Sequence, residues 1–447
     1  TKDMTVGSPT RLILGFALPL MLGNVFQQLY TFVDTMVVGQ ALGVRALAAL
    51  GATEWLVFLL FGFIQGITQG FSVAVSQQFG ATDYRRLRKT IGNALYLSVL
   101  GTILFTIIGQ FMLHPILQLL HTPKEIIGLA ECYLRILYAG VGIAMAYNLC
   151  AAILRALGNS KAPLKAMTIA SICNIVLDVL FVFGFGWGIE GAAIATLLSQ
   201  LFAAGYCFVK LRGIEILRFE KEDFAIDTEI LEEELKLGLP MGLQNTITAM
   251  GGLIVQSVIN GFGVLFIAGF TAANKLYGLL EIAASSYGYA VSSYTGQNIG
   301  ANRVDRVRKG LRAANIVGSI TAIGMSAIML LFGKIILACF ITGDAETIQN
   351  TVQIGFQFLV ILAGAFPLLY ILYITRACIQ GLGNSILPML SSIAQLVMRT
   401  GCALLLPGII GETGVFYGEV AAWVGADLIL IISYYHVWSQ YSSKKYR

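Results

Sequence analysis

The stretch Met167–Phe185, MTIASICNIVLDVLFVFGF, decides how this chain is read. It is long enough to cross a bilayer, for which about 20 apolar residues suffice. Its one formal charge is Asp178. Asn174 precedes it by one helical turn, so both side chains leave the same helix face. A carboxylate in hydrocarbon costs about 2.5–3.5 kcal/mol on insertion scales, and such residues mark ion pathways and proton relays. The first apolar segment offers a second acid, Asp34, in QQLYTFVDTMVVG. The two acids are expected to share one cation site.

The rest of the chain agrees with a membrane setting. Of 447 residues, 57% are hydrophobic and 12% charged, too little charge to cover the surface of a soluble domain of this size. The net charge of +5 matters less than its placement in alternate short loops. That pattern is a topology signal and not a nucleic-acid footprint. Seven cysteines (Cys132, Cys150, Cys173, Cys207, Cys339, Cys378, Cys402) lie in or beside apolar runs without CxxC spacing. They read as small core residues, implying neither disulfides nor a metal. His114, His121 and His436 make no metal constellation. The first apolar segment is too long for a cleavable leader and lacks a small-residue cleavage site.

Apolar runs give twelve spans: 13–38, 53–78, 91–113, 126–150, 164–184, 190–211, 237–259, 265–294, 311–333, 350–374, 387–407 and 414–438. Loops after the even spans carry Arg85, Arg86, Arg88 and Lys89; Arg155 and Lys161; Arg212, Arg218 and Lys221; Arg303, Arg306, Arg308 and Lys309; Arg376; and Lys444, Lys445 and Arg447. The opposite loops carry Arg45, Lys124 and Lys334. This asymmetry predicts a multi-pass inner-membrane protein with both termini in the cytoplasm.

One long polar connection, 212–236, divides a lobe at 1–211 from a lobe at 237–447, and the two repeat each other. Leu18-Pro19, Leu22 and Asn24 recur as Leu239-Pro240, Leu243 and Asn245. Gln77, Gly80-Ala81, Arg86 and Arg88-Lys89 recur as Gln297, Gly300-Ala301, Arg306 and Arg308-Lys309. Leu157-Gly158-Asn159-Ser160 and Pro163 recur as Leu382-Gly383-Asn384-Ser385 and Pro388. The expected fold class is therefore all-α: twelve transmembrane helices in two six-helix lobes related by a pseudo-twofold axis along the membrane normal. Pro19 and Pro240 each remove a backbone hydrogen bond early in a lobe's first helix and permit a bend, or mark only a kink where the helix begins.

The stretches LPLMLGNVFQQLYTFVDTMVVG, QFGA with its basic tail, RALGNSKAP and NIVLDVLFVFGFGWGIEGAAIAT together resemble the multidrug and toxic compound extrusion (MATE) transporters over essentially the whole chain. That resemblance implies an antiporter whose two lobes alternate access and whose exports are driven by inward protons or sodium. Within the family, the DinF-like branch carries an acid on the first helix and Asn-x-x-x-Asp on the fifth, matching Asp34, Asn174 and Asp178. The same resemblance adds Asn148 and Thr196 to the coupling site, with Tyr133 a weaker match. The NorM-type branch keeps acids on the seventh and tenth helices. Spans 237–259 and 350–374 contain none, a departure that disfavours a cation site in the second lobe.

Two carboxyls in one apolar pocket bind a proton readily and titrate as a pair. Added Asn and Thr oxygens also suit sodium, so the coupling ion is H+ or Na+, with no further metal and no cofactor expected. The implied partners are a small amphipathic or cationic organic substrate and the lipid bilayer, with no nucleic acid, and the chain reads as a monomer. The alternative is a flippase for lipid-linked precursors with a similar bilobed architecture. A membrane enzyme is disfavoured, because the spans show no metal cluster or nucleophile–base set. The repeat yields one more expectation. Asn174 and Thr196 map onto Arg399 and Glu419, so these two charges should face each other as a structural ion pair in the second lobe.

Overall fold

A chain in hydrocarbon must satisfy its backbone polar groups internally, and apolar runs of this length do so as helices. The computed structural model describes residues 1–341 and 343–444, which contain helices and no strand. The helices are α1 Pro9–Leu42, α2 Val44–Gly80, α3 Tyr84–Leu119, α4 Ile127–Ala139, α5 Val141–Ala156, α6 Lys161–Asp178 and α7 Gly188–Arg212. They continue as α8 Thr228–Ile259, α9 Val264–Gly300, α10 Val304–Phe340, α11 Ala345–Gly381, α12 Ile386–Leu405, the short α13 Pro407–Ile410, and α14 Tyr417–Lys444. Among the described residues, nine are long and apolar enough to cross a membrane, and α4 with α5 forms a tenth span bent by 50°. The more polar α8 and α9, 32 and 37 residues long, complete the twelve.

Most helices outrun the spans read from hydropathy. At about 1.5 Å per residue, a 37-residue helix is about 55 Å long and projects well beyond a hydrocarbon core of about 30 Å. The bend between α4 and α5 falls at Gly140, where the Leu197 side chain occupies the space a Cβ would need.

The chain forms two compact units, one of residues 1–3 and 18–242, the other of residues 4–17 and 243–447. This differs from division at a 212–236 linker. Helix α1 passes from one unit to the other one residue before Pro19, and α8 passes two residues after Pro240. The two prolines thus lie inside continuous helices, at the points where each changes units.

Hydrogen bonds explain these memberships. In the first unit, Arg88 Nε donates to Asp223 Oδ2 at 3.0 Å and Arg86 Nη2 to Glu233 Oε2 at 3.1 Å. Asn93 Oδ1 accepts from the Asp227 N–H, and the Tyr96 hydroxyl donates to the Phe224 carbonyl. The 212–236 segment is thereby fastened along α3. In the second unit, the Met4 N–H donates to Gln297 Oε1 at 2.8 Å, while Arg303 and Arg306 donate to the carbonyls of Thr5 and Gly7. Several residues expected to mark topology alone therefore also hold chain segments in place. Lys445 and Arg447 lie outside the described residues.

Helices α2 and α8 approach through glycine, as membrane helices do where backbones come close. A Cβ on Gly70 would collide with the Gly238 backbone, and one on Gly66 with the Met241 carbonyl. Backbone cannot step aside as a flexible side chain can. Gly70→Leu is therefore expected to lower stability by at least about 1–3 kcal/mol, the usual overpacking range, read as a lower thermal midpoint of the purified protein.

Candidate functional site

Helix α1 places Asp34 eight residues before its end at Leu42, about 12 Å inside the helix terminus. Asp34 is thus a residue of the helix body, not of its tip. Asp178 is the last α-helical residue of α6. From Val179 to Gly184 the helix widens into a π-helical turn, in which the Phe185 N–H reaches back five residues to Leu180 O. Such turns often accompany functional positions in helices.

Both acids are buried, Asp34 at 9% and Asp178 at 0% exposure. Their carboxyl groups are close enough to share a hydrogen bond. No protein donor meets Asp34 Oδ1 or either oxygen of Asp178. Two ionised carboxylates in this position would repel each other with nothing to compensate, so the pair calls for a shared proton or a bound cation.

Asn174, at 1% exposure, also keeps its Oδ1 unpartnered. Its Nδ2 lies 3.5 Å from Thr196 Oγ1, the outer limit of a hydrogen bond, while the threonine hydroxyl donates to Ala192 O at 3.1 Å. Tyr133 is buried within electrostatic reach of both acids. Asn148 Nδ2 donates to Ala144 O of its own helix at 2.8 Å. The structure thus links Asp34, Asp178, Asn174, Thr196 and Tyr133. Tyr30 joins them, within reach of both acids. In sequence, the one mark of Tyr30 is its place one helical turn before Asp34 on the same face.

The second unit has a polar interior of its own. Arg399 Nη2 and Glu419 Oε2 are 2.9 Å apart, with side chains 8% and 17% exposed. Glu281 Oε1 accepts from the Tyr373 hydroxyl at 2.8 Å. Arg376, expected in a basic loop, is instead buried in α11 because that helix runs seven residues past Ile374. Its Nη2 donates to Ser391 Oγ, Ser392 Oγ and Gln395 Oε1. Asp427, not singled out from sequence, is 5% exposed with neither oxygen hydrogen-bonded. The absence of acids from spans seven and ten therefore did not mean a second unit without buried acids.

The MatE family model matches residues 19–180 and again 240–404, beginning once at each repeated proline. "Probable multidrug resistance protein YpnP" of Bacillus subtilis (strain 168) is 32% identical over 424 residues, covering 93% of this chain and 92% of that protein. YoeA of the same organism, also named a probable multidrug resistance protein, is 30% identical over 437 residues, covering 95% and 93%. A crystal structure of MATE in complex with MaL6 is similar at a TM-score of 0.91 and 26% identity over the whole of both chains. The chain belongs to the MatE family and is a multi-pass membrane protein of the multidrug and toxic compound extrusion type.

Proposed function

We propose that this protein is a cation-coupled antiporter that exports amphipathic or cationic organic compounds, with Asp34 and Asp178 as its coupling pair, as in the DinF-like branch. One observation carries the reading: two adjacent buried carboxyls, with Asp34 Oδ1 and both oxygens of Asp178 lacking protein donors. A site of this kind holds a proton or cation when closed and releases it when opened to water, where two separate charges are stable. Coupling requires that difference. The pair, the free Asn174 Oδ1 and the nearby phenols form an all-oxygen donor set, which suits a proton or a hard cation such as sodium.

The deciding experiment is efflux from proteoliposomes under separately imposed proton and sodium gradients. Concentrative transport of an organic cation under one gradient supports the reading and names the ion; transport that merely equilibrates the cation under both contradicts it.

The alternating Lys and Arg distribution supports termini and a 212–236 segment on the cytoplasmic side. Glu222 is a suitable reporter, because its 3.5 Å pair with Arg85 is exposed on both sides and contributes little. A cysteine replacing Glu222, in a background without the native cysteines, is expected to resist an impermeant maleimide in intact cells and to label after permeabilisation. Efficient labelling of intact cells would reverse the orientation.

A further inference from the structure

The offset of 220 that relates Arg88-Lys89 to Arg308-Lys309 sets α3 of the first unit against α10 of the second. In the first unit, the membrane-side flank of α3 at Tyr96, Val99 and Leu100 is a groove that also includes Phe224 of the connecting segment. The same segment delivers a carboxylate, and Arg88 is met by Asp223 and by the Ile216 carbonyl. Gly92 admits the segment, since a Cβ there would collide with the Asp223 carbonyl. This unit therefore satisfies its arginine with an anion from its own chain.

The second unit has the same groove with different contents. It lies between α10 and α14, both of which pack on α11, and is an open groove of about 800 Å³. Arg308 stands where Arg88 stands, and Arg312 replaces Gly92. The two are four residues apart and so project from one helix face. Among the described residues, no carboxylate comes within ion-pair distance of either. Two further lining groups, Asn315 Oδ1 and the Tyr434 hydroxyl, are buried without a hydrogen-bond partner. Tyr434 stacks on Trp438 at 5.7 Å, forming an aromatic wall of the kind found at membrane interfaces. Below the arginines, Ile316 and Ile320 are 52% and 64% exposed, so the groove becomes apolar along the helix.

We propose that this groove is a binding site for an anionic phospholipid from the leaflet on the side of the basic loops. The phosphate lies between Arg308 and Arg312, whose planar guanidinium groups match phosphate oxygens in paired hydrogen bonds. Hydroxyl groups of the glycerol or headgroup donate to Asn315 Oδ1, and Tyr434 donates to an ester or phosphate oxygen. An acyl chain follows Ile316 and Ile320. The lipid phosphate supplies in the second unit what Asp223 supplies in the first. A free anion would satisfy the arginines but leave the apolar half of the groove without a partner. The site is independent of the coupling pair and of the nature of the exported compound.

Native mass spectrometry of the full chain, released from detergent containing equal phosphatidylglycerol and phosphatidylcholine, tests the assignment. Wild type is expected to retain phosphatidylglycerol preferentially. Basic side chains near a membrane contribute about 1 kcal/mol each, so R308Q/R312Q should bind phosphatidylglycerol about 30-fold more weakly and R312Q alone about 5-fold. R312Q guards against loss of fold in the double variant, since its side chain is exposed. R212Q/R218Q removes the same charge from exposed positions elsewhere and should retain the lipid. Equal retention of both lipids by wild type, or undiminished phosphatidylglycerol on R312Q, would overturn the proposal. So would an equal loss from R212Q/R218Q, full displacement by inorganic phosphate, or a peptide mass in place of the lipid.

Discussion

Asp178→Asn is expected to abolish gradient-driven export while leaving the protein folded. Asparagine keeps the shape of the side chain, and its amide can donate to Asp34, so the buried site loses a charge without losing its packing. It cannot titrate, and it weakens a cation site by a full charge. One charge moving down 100 mV releases about 2.3 kcal/mol, enough for about 50-fold accumulation. That concentrative power should vanish, leaving at most equilibration of an organic cation across proteoliposome membranes. Asp34→Asn is expected to have the same direction and a smaller effect, since Asp178 is the more deeply enclosed partner. Wild-type concentrative efflux by either variant would remove that residue from the coupling mechanism.

Arg399→Ala should be the most damaging substitution in the second unit. It leaves Glu419 without the guanidinium at 2.9 Å, and breaking a buried pair on one side costs about 3–5 kcal/mol. Glu419→Gln leaves Arg399 charged and only weakly hydrogen-bonded, so it should also lower expression and thermal midpoint. Replacing both by leucine removes two desolvated charges together and should recover much of the loss. Single and double variants are compared by the yield of monodisperse protein and by thermal unfolding. A double variant no better than Arg399→Ala would show that the charges act separately.

The architecture was legible in the sequence because hydrophobic length and repetition are strong signals. The site was legible in part. Asp34, Asn174 and Asp178 stood out because they are polar residues in apolar runs, and the repeat alone placed Arg399 opposite Glu419. The misses share a physical cause. Hydropathy reports where hydrocarbon ends, not where a helix ends, so Arg376 read as a loop residue although α11 continues through it. It also reports nothing of partners. Arg88 and Arg306 looked like solvated loop charges, yet they grip Asp223 and the Gly7 carbonyl. Asp427 was hidden because its burial depends on helices distant in sequence. The compact units reflect such distant contacts too, since residues 4–17 follow bonds to positions near 300 and not their neighbours along the chain.

That last arrangement constrains how the protein is made. Met4 is synthesised nearly 300 residues before its partners Gln297 and Asn298. At about 5–20 residues per second, the Met4–Gly7 segment waits about 15–60 s on the ribosome-bound chain before these contacts exist. The first unit can assemble once α8 emerges, whereas the second closes only when its earliest segment returns to it. Deleting Met4–Gly7 should therefore spare early assembly and leave the late-made half of the molecule as the one that fails to mature.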